Sequence, residues 1–138
     1  MVAQLDTKTV YTFMDSLISI KKYVETAKNL GYQTLGIMDI DNLYGVYHFM
    51  ETAIEQGIQP LLGVEMTLDY AGLPLNLRFL ALDSQGYRNL MKLSTLKMIG
   101  KSKWEEFQHL LEGIAVIVPV FEGIEALDLG REFYIGVF

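Results

Sequence analysis

Cysteine is absent from the 138 residues, and histidine occurs only twice. The first absence excludes disulfides and thiolate metal sites, and leaves the cytosol as the default compartment. The second leaves little imidazole for a metal that prefers nitrogen ligands. Basic residues are sparse as well. Eleven Lys and Arg against 17 Asp and Glu give a net charge of −6. This argues against the chain gripping a nucleic-acid backbone by itself, which needs concentrated cations. Lys21-Lys22 and the group Lys97, Lys101 and Lys103 read as solvated helix faces. No apolar run approaches the roughly 18 residues of a membrane helix. The longest, residues 114–121, contains Pro119 and reads as a buried strand. No charged-then-apolar leader opens the chain, so secretion is not expected. There is no Gly-x-Ser-x-Gly elbow, no Ser with a His partner, no P-loop and no Gly-x-Gly-x-x-Gly.

What is abundant is apolar. The chain is 51% hydrophobic with a mean hydropathy of +0.24, rich for a soluble domain. Its length suits one domain, residues 1–138, or part of a larger one. Residues 132–138 read as a strand with no polar tail after it, where termini are usually polar and loose. The expectation is a piece of a longer protein whose packing partners lie downstream.

Strands are expected at residues 2–5, 34–38, 60–68, 75–82, 114–120 and 132–138. Between the first two lies a polar stretch and then a helix capped by Ser19, with Ile20, Tyr23, Val24, Ala27 and Leu30 on its inner face. Asn42 is expected to cap the next helix, with Val46, Phe49, Met50, Ala53 and Ile54 inward and Gly57 as its stop. Ala71-Gly72 makes a turn. Ser84 opens a helix carrying Tyr87, Leu90, Met91 and Met98. Ser102 and Glu105 have capping-box spacing ahead of Trp104, Phe107 and Leu111. A short helix is expected at residues 124–129. Alternating strands and helices imply an α/β fold with mainly parallel strands and right-handed crossovers. Spacing alone does not separate an open sheet from a partial barrel.

In such folds, sites form at the carboxyl ends of strands. Asp15, Asp39, Asp41 and Glu65 fall at or just past those ends, where converging carboxylates can bind divalent metal. Asp39 and Asp41 also suit a helix start, through capping and the helix dipole. His48 and His109 fall inside expected helices. The aromatic residues fall at helix or strand spacing, as core residues do rather than as a base-stacking platform.

Four segments then carry a resemblance. Asp39-Ile40-Asp41-Asn42-Leu43-Tyr44-Gly45 resembles the run Asp-His-Gly-Asn-Leu-Tyr-Gly. Residues 57–65, Gly-Ile-Gln-Pro-Leu-Leu-Gly-Val-Glu, are similar to Gly-Ile-Lys-Pro-Ile-Ile-Gly-Cys-Glu. Residues 86–93, Gly-Tyr-Arg-Asn-Leu-Met-Lys-Leu, are similar to Gly-Tyr-Arg-Asn-Leu-Leu-Lys-Leu. Residues 4–12 lie where a His-Leu-His-x-His-Ser-x-Tyr-Ser run would stand. In this order and spacing the segments resemble the PHP (polymerase and histidinol phosphatase) domain at the N-terminus of bacterial DNA polymerase III alpha subunits.

The resemblance implies a distorted seven-stranded βα barrel with metal ions clustered at the carboxyl ends of its strands. It also shows what is missing. The His-x-His pair falls on Asp6 and Lys8, the next His on Ile40, the His opening the fourth strand on Asn76, and a later Cys or His near Val120. Asp15 and Glu65 are kept. Asp6, Asp15 and Glu65 are oxygen donors suited to Mg or Ca rather than Zn. Ile40 and Val120 offer no lone pair, and Lys8 would put an ammonium where a cation should bind. The expectation is a vestigial site that holds no metal, with the Lys8 charge in place of the ion. By resemblance the parent is a DNA-directed DNA polymerase, using deoxynucleoside triphosphates and Mg at carboxylates outside this chain. The implied partners are the remaining polymerase domains, DNA, a sliding clamp and a proofreading subunit, with no membrane and a cytoplasmic location. This piece by itself is expected to be inactive and to act as scaffold and docking surface. The alternative is an active metal-dependent phosphoesterase or 3′–5′ exonuclease.

Overall fold

The computed structural model describes residues 4–9 and 19–137. It divides into two compact units, Met1–Val64 and Glu65–Phe138. Among the described residues, no helix is long and apolar enough to cross a membrane.

In the first unit residues 4–9 lie beside the first long strand. Gln4 bridges Leu35 in parallel, and the Gly36 and Met38 amides donate to the carbonyls of Gln4 and Thr7 at 2.5 and 2.9 Å. Of the expected strand at residues 2–5, only this part lies within the described residues. The approach needs a glycine, because a Cβ on Gly36 would lie 2.7 Å from the Leu5 carbonyl oxygen. Ser19 caps α1 (Ile20–Asn29), its hydroxyl accepting from the Lys22 amide at 3.3 Å. Ile20, Val24 and Ala27 are buried, whereas Leu30, expected inward, is exposed because it is the cap beyond the last turn. β1 (Thr34–Ile40) is buried almost throughout. α2 (Val46–Glu55) begins after Gly45, not at Asn42. The Asn42 side chain instead closes a local turn, donating to the Ile40 carbonyl at 2.9 Å and accepting from the Tyr44 amide at 3.1 Å, a short-range bond that competes with helix initiation. Val46, Phe49 and Ala53 are buried, while Ile54 is exposed. Tyr23 stacks on Phe49 with ring centres 6.1 Å apart. α2 stops as expected at Gly57, with the Ile58 amide reaching back to the Ala53 carbonyl at 2.9 Å. β2 (Gln59–Tyr70) begins in this unit beside β1.

In the second unit β2 turns into β3 (Leu73–Ala81) through Ala71-Gly72. Both turn residues have positive φ, +49° and +86°, the geometry that suits a two-residue hairpin. α3 (Ser84–Met98) is capped by Asp83, whose carboxylate accepts from the Gly86 amide at 2.8 Å; Ser84 is already helical. Before α4 (Trp104–Phe107), Glu106 rather than Glu105 accepts the Ser102 and Lys103 amides at 3.2 and 3.1 Å. The helix starts one residue later than its spacing suggested, which moves the capping carboxylate by one. The Lys103 amide, more than any other contact, holds the Glu106 carboxyl below its usual range. Trp104, Phe107 and Leu111 are all buried. β4 (Ile114–Pro119) runs antiparallel to β3, pairing Arg78 with Ile117 and Leu80 with Ala115. A single 3-10 turn at Ile124–Ala126 stands where a short helix was expected. β5 (Tyr134–Gly136) is parallel to β4.

The α/β reading therefore holds, but the strands are mixed rather than mainly parallel. The Ala71-Gly72 link has two residues and a parallel crossover needs about a dozen or more, so β2 and β3 must be antiparallel. α3 is fastened to the turn before β4. A Cβ on Gly86 would lie 2.0 Å from the Gly113 carbonyl oxygen, and buried Asn89 donates to the Glu112 carbonyl at 2.9 Å. Residues 86–93 thus carry packing and leave no donor set for chemistry. Gly86→Ala is expected to cost about 2 kcal/mol or more, because the added carbon meets backbone that cannot rotate away. A fall in the urea midpoint at unchanged slope is the readout.

Candidate metal centre

The centre of interest in the second unit follows from the hairpin. With Tyr70 and Leu73 closing a two-residue turn, counting back along β2 and forward along β3 sets Thr67 opposite Asn76 and Glu65 opposite Arg78. The side chains agree with that register. The Asn76 amide donates to the Thr67 hydroxyl at 3.2 Å, and the Arg78 guanidinium lies 2.7 Å from Glu65 Oε1. A second guanidinium nitrogen donates to Asn76 Oδ1. The Glu65 and Arg78 side chains are only 8% and 10% exposed. Two charges taken this far out of water hold only if each satisfies the other. Glu65 therefore meets a full positive charge supplied by the next strand, and the amide oxygen of Asn76 is turned to the same group.

In the first unit Asp6 and Lys8 form an ion pair, both partly buried. Asp39 is 2% exposed and receives two bonds of 2.6 Å from Thr9, one from its amide and one from its hydroxyl. Both carboxylate oxygens are thereby used to fasten residues 4–9 alongside β1. Ile40 is half-buried and offers no donor atom. Asp41 has φ +59°. This left-handed conformation strains most side chains and suits glycine, with Asp and Asn the usual exceptions, and the resemblance sets a glycine at this position. Asp15 lies outside the described residues. Val120 is exposed, just past β4. His48 and His109 are exposed, on α2 and on a 3-10 turn. Among the described residues no three of His, Asp and Glu come together closely enough to hold a metal ion.

The structure thus brings Asp6 to Lys8, and Glu65 to Asn76 through Arg78. Arg78 is the residue that sequence reasoning missed. Its signal was present: once Ala71-Gly72 is read as a two-residue turn, Arg78 is the residue opposite Glu65.

Comparison with known proteins gives the wider context. A PHP domain profile matches residues 4–131. The chain is 50% identical over 137 residues to the DNA polymerase III subunit alpha of Streptococcus pyogenes serotype M1, a match covering 99% of this chain and 13% of that protein. It is 30% identical over 128 residues to the DNA polymerase III subunit alpha of Rickettsia bellii, covering 87% of this chain and 11% of that one. The chain thus spans about an eighth of the curated relatives it matches. Among solved structures, one described as a metal-dependent phosphoesterase from Bifidobacterium adolescentis superposes with a TM-score of 0.62 at 13% identity, over 85% of this chain and 66% of that one. An amidohydrolase from Chromobacterium violaceum, solved with sulfate and no metal, gives 0.62 at 12% with the same coverage. At these identities the likeness is one of fold.

Arg78→Met is expected to cost about 3–5 kcal/mol, because it leaves the Glu65 carboxylate buried and uncompensated. Adding Glu65→Leu to it is expected to recover most of that loss, a double-mutant cycle read by urea unfolding. Asp41→Gly is expected to leave stability unchanged or raise it by up to about 1 kcal/mol, while Asp41→Val lowers it by about 1–2 kcal/mol. The reverse order would show that the Asp41 side chain matters more than its backbone.

Proposed function

The chain belongs to the PHP domain family, and from that premise we propose that it is the N-terminal PHP region of a replicative DNA polymerase III alpha subunit, one that has lost metal chemistry and kept the architecture. The observation that carries this reading is the Glu65–Arg78 pair. By resemblance Glu65 is a metal ligand, and here an immovable cation already stands against it. The Asp6–Lys8 pair supports the same reading, and Ile40 replaces an imidazole with a side chain that has no lone pair. These residues do not fit a metal cluster: the carboxylates are matched to side-chain cations, and the nitrogen donors a Zn, Mn or Fe site prefers are gone.

The strands of this chain are part of a distorted (β/α)7 barrel completed by further sequence. In support, β5 stands at the end of the strand order with Tyr134 and Ile135 exposed, and the chain covers 66% of each matched solved structure. The parent is a DNA-directed DNA polymerase, a nucleotidyltransferase of the cytoplasm acting in DNA replication. It uses Mg at carboxylates elsewhere in its chain. Its partners are the remaining polymerase domains, DNA, the sliding clamp and a proofreading subunit. This region braces the domains that follow and does not polymerise. The second reading, a metal-dependent phosphoesterase or 3′–5′ exonuclease, draws on the fold likeness to the Bifidobacterium structure.

One experiment separates the two. The protein is incubated with Mn or Zn, desalted, and assayed for bound metal, phosphatase and exonuclease activity, and melting temperature. The expected result is no stoichiometric metal, no turnover and an unchanged melting temperature, with Lys8→Ala less stable and not rescued by metal. Stoichiometric metal with hydrolysis would establish the phosphoesterase instead.

A further inference from the structure

Charge along this chain is far from even. Between Ser84 and Lys103 lie 5 of the 11 basic residues, Arg88, Lys92, Lys97, Lys101 and Lys103, and none of the 17 acidic ones. That leaves 6 cations against 17 acids, a net −11, for the remainder. Most of this basic stretch is α3, whose inner face is Gly86, Asn89, Leu90, Leu93 and Ser94. Its outer face would ordinarily be polar. Here Arg88 and Lys92 are interleaved with Met91, Met98 and Ile99, which are 42%, 64% and 65% exposed. Met91 and Met98 lie two turns apart on one side of the helix, and Ile99 is the exposed cap just past its end.

We propose that the outer face of α3 is a docking surface for an acidic amphipathic helix of a protein partner. Its apolar stripe would seat on Met91, Met98 and Ile99, and its flanking carboxylates would face Arg88 and Lys92. Methionine at such a surface repacks easily against a partner's side chains, and apolar residues two turns apart are matched by a helix laid along them. Charge complementarity selects an acidic occupant. A nucleic-acid backbone fits less well. The Lys97 ammonium is bound to the Thr67 carbonyl at 2.7 Å, and that of Lys101 lies 3.5 Å from Glu106. This thins the cations left for phosphates, and phosphates gain nothing from exposed methionines. The inference deepens the scaffold reading by naming a surface, and it fails separately from it, since a metal-binding form of this chain would present the same face.

The test is selection of displayed random peptides of about 16 residues, roughly four helical turns, against the whole protein, with affinities measured by fluorescence anisotropy. Two double variants accompany it, Arg88→Glu/Lys92→Glu and Met91→Ser/Met98→Ser, both on an exposed face and both expected to keep the parent melting temperature. Selected peptides are expected to be net acidic with apolar residues at helical spacing, and to lose about tenfold or more in affinity to each variant. Neutral or basic binders, no binders, or binders indifferent to both variants would overturn the proposal. So would a short DNA duplex or single strand that binds more tightly than the peptides and displaces them.

Discussion

The register of one hairpin governs the character of this molecule. Ala71-Gly72 is too short to permit any pairing but the one observed, and that pairing sets Glu65 against Arg78 where both are nearly shut off from water. A slip by one residue would turn every side chain of β3 to the other face and leave two charges buried alone. The same register sets Asn76 against Thr67 and lets its amide oxygen meet the guanidinium. The position that the resemblance marks as a ligand is therefore held by backbone geometry against the Arg78 guanidinium.

The segments that carry the resemblance prove to be fasteners. Asp39 holds residues 4–9 through two bonds to Thr9, and Gly36 allows that segment to lie close. Asn42 closes the turn into α2, and Gly57 ends it. Gly86 and Asn89 lock α3 to the turn before β4. Each needs its residue type for a stated physical reason, whatever the protein does. Residue types fixed in this way are spread across the span, residues 4–131, that matches the PHP domain.

Much of this was legible in the sequence, and the misses have common causes. Apolar periodicity found α1, α2, α3 and every described strand, because burial sets that pattern. It failed at element ends. Leu30 and Ile54 fit the spacing of a buried face, but Leu30 is the cap just past α1 and Ile54 lies in the last turn of α2, and both are exposed. Asn42 and Glu105 were each assigned a capping role that another residue takes, since a cap depends on backbone angles rather than on residue type alone. Strand direction was misjudged because alternation of strands and helices was given more weight than the two-residue link. At the site, the identities of Asp6, Lys8, Ile40 and Asn76 are read directly from the sequence, and the structure adds that Asp6 meets Lys8 and that Asn76 meets Arg78. Arg78 escaped because the reading went position by position and did not fold the hairpin.

The opposed pair on β2 and β3 also bears on how such a chain can change over time. Neutralising either residue first strands the other's charge in the interior, at about 3–5 kcal/mol, a large part of a small domain's whole stability. A lineage that had acquired the arginine would meet this barrier on any single-step path back toward an ion-binding strand. Such an exchange would work as a ratchet, hard to leave by one mutation at a time.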